Sequence, residues 1–241
     1  MAHAVLSIAH RGASGITPEN TRVAFVKALD LGADMIEFDV QLTRDEVAIV
    51  FHDETLDRTT NGSGRVAQTD FSVISGLDAG SWFGASFADH EVPTLEEVLG
   101  LLSDRTGLNI ELKPDTRVER LVRRVVTAVA RFECFEAVIF SSFEAAALRS
   151  LRKLVPDARI GVLCQRGELP GALALADELG AVALHPVVTM VDSELVREAH
   201  ERDLSVYPWT VNEPGEIALM RALGVDGMFT DYPDRVARPR R

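Results

Sequence analysis

The chain has only two cysteines, Cys134 and Cys164, too few for a disulfide framework and without metal-ligand spacing. Each sits in an apolar stretch and reads as a small buried hydrophobe. No apolar run approaches the roughly 20 residues a membrane helix needs, so no stable membrane insertion is expected. Residues Met1 to Ala9 lack a basic n-region and run straight into His10, which reads as a first strand and not a signal peptide. A cytoplasmic protein is the default expectation. Positive charge is also in deficit, with 25 Lys and Arg against 37 Asp and Glu and a net charge of −12. That balance excludes non-specific nucleic-acid binding, which needs a basic face, and equally a polybasic membrane patch. The one basic cluster, Arg235, Arg238, Arg240 and Arg241, reads as a solvated terminus. A small anionic ligand stays compatible, because a metal ion and a few cations can reverse the sign inside a pocket. Nothing in the sequence sets an oligomeric state.

What is present is an ordinary globular composition, 46% hydrophobic and 26% charged, enough to build a sizeable core across 241 residues. Nine short β-rich runs are predicted: Val5–Ala9, Met35–Val40, Val47–Phe51, Leu108–Leu112, Ala137–Phe140, Arg159–Leu163, Ala181–Leu184, Ser205–Pro208 and Gly227–Thr230. Most are continuously apolar, as in strands buried on both faces of a parallel sheet. Helices alternate with them. Thr116–Arg131 carries one apolar stripe of Val118, Leu121, Val122, Val125, Val126 and Val129, and Thr94 with Glu97 has capping-box spacing before another helix. Further helices are expected near 21–31, 143–154, 170–179, 192–202 and 214–223. Repeated strand–helix units over this length predict an α/β fold, a TIM-type (β/α)8 barrel, as a single domain over 1–241. The runner-up, an open doubly wound sheet, is weakened because no Gly-rich dinucleotide fingerprint follows the first strand. Two features fit an ideal barrel poorly. Nine strand candidates compete for eight places, and the Gln41–Glu46 link is too short for a parallel crossover. The segment 54–92, with Asn61-Gly62-Ser63-Gly64 and scattered aromatics, breaks the rhythm and reads as a small inserted subdomain over one end of the barrel.

Active sites of such barrels lie at the C-terminal ends of the strands. Glu37 and Asp39 stand two apart on one strand and so leave the same face, and Glu111 and Lys113 repeat the arrangement on another. Carboxylates forced together among apolar residues are costly unless a cation pairs with them. Two readings stay open on spacing alone: a hard divalent ion, Mg²⁺ or Ca²⁺, on oxygen ligands, or an ion-pair network of Glu37 or Asp39 with Lys113 or Arg11. His10 and His52 each follow an apolar strand, and two histidines in a site that also holds carboxylates point to proton transfer. Arg11 offers a bidentate fork for a phosphate and Lys113 a second positive charge. Together these parts suit a metal-dependent phosphodiester hydrolase.

The motifs His10-Arg11-Gly12, Pro18-Glu19-Asn20-Thr21, Glu37-Phe38-Asp39-Val40 and His52-Asp53 with Leu56, Arg58, Thr59, Thr60 and Gly62 come in that order. They continue with Pro93-Thr94-Leu95-Glu96-Glu97, Glu111-Leu112-Lys113-Pro114, Ser141-Ser142-Phe143, Trp209-Thr210-Val211-Asn212 and Asp226-Gly227 through Thr230-Asp231-Tyr232-Pro233. In this set and order the sequence resembles the glycerophosphodiester phosphodiesterases. The resemblance implies a TIM-type barrel with a small insertion after the second histidine. It implies one divalent cation, Mg²⁺ or Ca²⁺, on Glu37, Asp39 and Glu111. It also implies His10 and His52 as the acid/base pair, with Arg11 and Lys113 on the phosphate. The glycerol hydroxyl next to the phosphate would attack phosphorus, and water would open the cyclic phosphate to sn-glycerol 3-phosphate, a step in glycerol and lipid metabolism. Trp209 and Phe143 are candidate contacts for the glycerol moiety and His185 a weaker one. His3, His90 and His200 are expected to face solvent, Glu19 and Asn20 to fix the loop after His10, and Asp231 and Pro233 to be mainly structural.

Three other functions compete. A lysophospholipase-D-like enzyme would need an apolar rim, which Trp82, Phe83 and Phe87 could supply. A catalytically inactive phosphate- or carbohydrate-binding barrel is disfavoured because both histidines and all three carboxylates are retained. A different metal hydrolase on the same fold would cut some other ester.

Overall fold

A computed structural model of the chain describes residues 5–237. His3, Arg238, Arg240 and Arg241 lie outside the described residues. In chain order the elements are β1 (Leu6–Ala9), α1 (Arg22–Asp30), β2 (Met35–Leu42), β3 (Ala48–Val50), α2 (Phe71–Ile74), α3 (Leu95–Leu102), β4 (Gly107–Leu112), α4 (Val118–Arg131) and β5 (Val138–Ser142). They continue with α5 (Ala145–Leu154), β6 (Ile160–Cys164), α6 (Leu169–Leu179), β7 (Ala183–Pro186), α7 (Ser193–His200), β8 (Ser205–Val206), α8 (Pro214–Leu223), β9 (Gly227–Thr230) and α9 (Pro233–Val236). Eight strands run parallel in the order β8-β7-β6-β5-β4-β2-β1-β9. Two backbone bonds, Asp226 N–H to Val206 O (3.1 Å) and Phe229 N–H to Pro208 O (3.0 Å), bring the last strand back against β8. The result is a nearly closed TIM-type barrel, so the open-sheet alternative falls.

The ninth strand candidate finds its place outside the ring. β3 pairs antiparallel with β2, Val40 opposite Val50 and Leu42 opposite Ala48. A link of this length can only turn the chain back on itself, and it does so with Glu46 in a left-handed conformation, φ 63°. The segment between β3 and α3 contributes its own small apolar cluster, in which Leu56, Val66, Ile74 and Val92 pack on Ile49 and Phe51.

The main core lies between the ring and its helices. α4 buries Leu121, Val122, Val125, Ala128 and Val129 along one stripe, with Val118 and Val126 at its margins. α3 opens on the expected capping box: Thr94 Oγ1 accepts the Glu97 N–H (3.2 Å) and Glu97 Oε2 accepts the Thr94 N–H (2.9 Å). Inside the ring, Ile8, Met35, Ile139, Ala183, Tyr207 and Phe229 form an apolar plug below the strand C-termini. Cys134 and Cys164 are buried and free.

His185 on β7 belongs to this interior. It is fully buried, ring against Phe229 (5.0 Å) and Tyr207 (5.5 Å), and neither ring nitrogen has a hydrogen-bond partner. The ring occupies the space above Gly161, where a Cβ would stand 2.4 Å from its Cε1. It is not a cavity-lining residue, so it is set aside as a substrate contact. Burial pulls its pKa down to about 3 from the usual 6.5. The folded protein therefore keeps this ring neutral while the unfolded chain takes up a proton below pH 6.5. Stability is lost as pH falls through that window, at roughly 1.4 kcal/mol per unit. The expected result is that His185→Leu removes about 2 kcal/mol of the stability difference between pH 7 and pH 5, read by urea denaturation. An unchanged pH dependence would contradict the assignment.

One smaller expectation needs correction: His90 is half-buried beside Phe87, ring centroids 6.2 Å apart, because the aromatics around it cluster. His200 faces solvent as expected, its Nε2 2.9 Å from Asp226 Oδ2. Arg235 is also exposed, and it donates to Asn212 O (2.8 Å) and lies over the Tyr232 ring.

Candidate active site

Strand register assembles the site. β2 and β4 align Glu37 with Asn109 and Asp39 with Glu111, and β4 and β5 align Glu111 with Ser141. In parallel strands aligned residues share a face, so these side chains all enter the barrel mouth. β1 aligns Ala9 with Ile36 on one side and Thr230 on the other. One residue further, His10 falls between Glu37 and Asp231. The β2–β3 hairpin returns His52 to the same mouth, held by Phe51 N–H donating to Asp39 O (3.0 Å). His10, Arg11, Glu37, His52, Glu111 and Trp209 line one cavity of about 210 Å³.

The three carboxylates converge. One oxygen from each of Glu37, Asp39 and Glu111 lies within 4.8 Å of the others, forming among the described residues the one cluster of this kind. Asp39 is fully buried, and its Oδ1 has no hydrogen-bond partner. Its other oxygen accepts from Asn20 Nδ2 (2.8 Å), which ties the loop after His10 to the site. Arg11 Nε and Lys113 Nζ each stand 3.4 Å from Asp39, and Lys113 donates to Glu111 (2.8 Å). The ion-pair network is thus present with Asp39 at its centre. Glu37 instead accepts the backbone N–H of Arg11 at 2.7 Å. Arg11 has φ 55°, and the next residue is Gly12 at φ 82°, where a Cβ would lie 2.7 Å from the Ala24 backbone. This left-handed pair turns the chain sharply enough to aim that N–H into the site.

The charges are strained in a way that suits a cation. Burial, then Asp39 and Glu111 nearby, push Glu37 well above the usual carboxylate range. Burial and Asp39 raise Glu111 too. Burial opposes ionisation of Asp39 as well, but Lys113, Arg11 and His52 outweigh it and hold this carboxyl low. Three carboxylates face two cations, and Asp39 Oδ1 accepts no hydrogen bond, the Lys113 ammonium standing 3.4 Å from it. An all-oxygen donor set of this kind fits a hard divalent ion.

Each histidine has its own carboxylate. His10 Nδ1 is 2.7 Å from Asp231 Oδ1, and His52 Nδ1 is 2.6 Å from Asp53 Oδ1. Asp231 is held down to about 2, its burial outweighed by the bond to His10. Asp53 is also held to about 2, chiefly by Arg58. Ionised carboxylates only accept, so both Nδ1 atoms carry protons and both Nε2 atoms are left for the cavity. Burial lowers the pKa of His52, favouring its neutral form. Across the mouth, Trp209 and Phe143 meet edge-on at 5.6 Å and 85°, the indole fixed by donating to His185 O (2.9 Å). Lys113 is absent from the lining of this cavity and instead lines a neighbouring groove of about 730 Å³. Of the three rim aromatics only Trp82 is exposed; Phe83 and Phe87 stack edge-on and are half-buried.

Sequence reasoning passed over Asp231 and Asp53. Asp231 read as structural, yet its position directly after a barrel strand was a usable signal. Asp53 was visible only as the neighbour of His52.

With this geometry in place, similarity to known proteins carries weight. Residues 10–235 match the Glycerophosphoryl diester phosphodiesterase family. The chain belongs to this family. A glycerophosphodiester phosphodiesterase from Caldanaerobacter subterraneus subsp. tengcongensis is 43% identical over 232 residues, covering 95% of each chain. One from Bacillus altitudinis is 38% identical, covering 96% of each. Among solved structures, an Oleispira antarctica phosphodiesterase in complex with the product sn-glycerol-3-phosphate superposes with TM-score 0.91 at 31% identity, covering 98% of this chain and 95% of that one. A glycerophosphodiester phosphodiesterase from Agrobacterium tumefaciens gives 0.84 at 30% identity, covering 96% and 98%. This phosphodiesterase family is one of enzymes, so the non-catalytic barrel, already the disfavoured reading, is set aside. No helix among the described residues is long and apolar enough to cross a membrane.

Proposed function

We propose that the protein hydrolyses small glycerophosphodiesters to sn-glycerol 3-phosphate and an alcohol, using one divalent cation and the His10–His52 pair. The observation that carries this reading is the pair of imidazoles, each held at Nδ1 by an ionised carboxylate, on a cavity that Glu37 and Glu111 also line, with the buried Asp39 clustered beside these two. Glu37, Asp39 and Glu111 would hold the cation, Mg²⁺ or Ca²⁺; when bound it supplies Lewis-acid neutralisation of the phosphate oxygens.

The protein's own residues do the rest. One histidine Nε2 accepts the proton of the glycerol hydroxyl next to the phosphate as that oxygen attacks phosphorus. The other histidine, entering the step doubly protonated, donates its Nε2 proton to the leaving alkoxide, releasing the alcohol and a cyclic phosphate. The roles then reverse: water attacks phosphorus, gives up its proton, and the ring oxygen leaves with one. Arg11, and Lys113 at longer reach, offset phosphate charge, while Trp209 and Phe143 pack against the glycerol carbons. The whole of 1–241 acts as one barrel domain with 54–92 inserted in it, and a cytoplasmic setting suits a small soluble substrate.

A panel of glycerophosphocholine, glycerophosphoethanolamine and lysophosphatidylcholine, supplied with Mg²⁺ or Ca²⁺, separates the readings. Cleavage of the first two in preference to the third is expected, since Trp82 alone offers little apolar rim. Preference for lysophosphatidylcholine would favour the lysophospholipase-D-like activity, and failure to cut any would overturn the proposal.

A further inference from the structure

The segment 54–92 reaches into the site through one side chain that the mechanism above does not use. Arg58 donates Nε–H to Asp53 Oδ2 (2.5 Å) and one Nη2–H to Asp53 Oδ1 (2.9 Å). It also donates Nη1–H to Glu19 Oε2 and Nη2–H to Glu19 Oε1, both at 2.8 Å. The two carboxylates it joins lead in different directions. Asp53 holds His52 Nδ1, and Glu19 Oε1 accepts from Arg11 Nη1 at 2.7 Å. Glu19 and Asp53 have 13% and 24% of their side chains exposed, and each keeps a second partner, Arg11 or His52, if Arg58 leaves. Arg58 itself is anchored beside Leu56 and Thr60, both buried, and its guanidinium lies 5.9 Å from the centre of the Trp82 ring.

We propose that Arg58 is a positioning residue that holds His52 and Arg11 in their working orientations at once, through Asp53 and Glu19. The proposal rests on the roles given above to His52 and Arg11. The chemistry requires arginine. Two carboxylates must be gripped in fixed relative positions, and a planar fork with several N–H donors does this where a single ammonium cannot. Folding gains little from it, since a side chain 44% exposed in an ion pair contributes weakly to stability. What it contributes is alignment: an error of about 1 Å in a reacting group costs on the order of 10²-fold in rate.

The test compares Arg58→Ala, Arg58→Lys and Arg65→Ala, the last removing an exposed ion pair with Glu54 on the same segment. Arg58→Ala should lose on the order of 10²-fold in kcat, with KM changed far less and the melting temperature nearly unchanged. Arg58→Lys should not recover the loss, added guanidinium ion should recover part of it, and Arg65→Ala should match the parent. In parallel, ¹⁵N spectra should show His52 in the Nδ1–H form in the parent and as a tautomer mixture in Arg58→Ala. A kcat within about twofold of the parent, a loss tracking the melting temperature, or full rescue by lysine overturns the proposal. If the parent cuts no glycerophosphodiester, the proposed function fails. The ¹⁵N comparison still decides whether Arg58 fixes His52.

Discussion

His10→Ala and His52→Ala are each expected to lower kcat/KM for glycerophosphocholine by about 10²- to 10⁴-fold, with the fold intact. Each removes one of two proton-transfer groups, and no other titratable side chain lining the cavity presents a free imidazole in its place. The carboxylates behind them predict a graded series. Asp231→Asn and Asp53→Asn keep the shape but replace an acceptor with a group that can also donate, so the proton on Nδ1 is no longer enforced. Losses approaching those of the alanine variants are expected, because the base no longer has its lone pair held toward the substrate and the acid loses the anion that stabilises its imidazolium. Both double variants should fall well short of the product of the single losses, since a histidine already removed cannot be misoriented. Steady-state kinetics on the six proteins and the parent checks this. Activity indifferent to either histidine would sink the acid/base assignment.

The second large effect concerns the carboxylates. Asp39→Asn is expected to reduce activity by at least about 10²-fold, even with Mg²⁺ or Ca²⁺ in excess. Asp39 is the carboxylate both cations address and the one with a buried oxygen that accepts no hydrogen bond, so its neutralisation disturbs the whole cluster. Glu37→Gln should weaken cation binding and leave more residual rate at saturation, because it carries no side-chain ion pair with either cation. Direct titration of Mg²⁺ or Ca²⁺ by calorimetry gives a reading independent of turnover: binding in the parent, and loss in Asp39→Asn. Equal binding in both proteins would point to the ion-pair network as the cluster's whole purpose.

Much of this was legible in the sequence, for physical reasons. Continuous apolar runs mark strands buried on both faces, so nine strands and the barrel could be read from periodicity. The two-residue spacing of Glu37 and Asp39 fixed their common face without any structure. What could not be read was register: Asp39 beside Glu111, and His10 between Glu37 and Asp231, depend on how strands far apart in the chain align. For the same reason Asp231 passed as structural. The short Gln41–Glu46 link signalled an irregularity, but whether β3 lay inside the ring depended on the barrel closing without it. Arg58 stood in a motif with no visible partner, because Glu19, 39 residues away in the chain, comes beside Asp53 only in the folded protein.

The central claim is that a divalent cation on Glu37, Asp39 and Glu111 and the His10–His52 pair together release glycerol 3-phosphate. The most direct measurement strips the purified protein with EDTA, restores Mg²⁺ or Ca²⁺, and follows glycerophosphocholine by ³¹P NMR. Glycerol 3-phosphate and choline should form only after the cation returns, and not in His10→Ala or His52→Ala. Full activity in EDTA, or release of phosphocholine and glycerol instead, would contradict it.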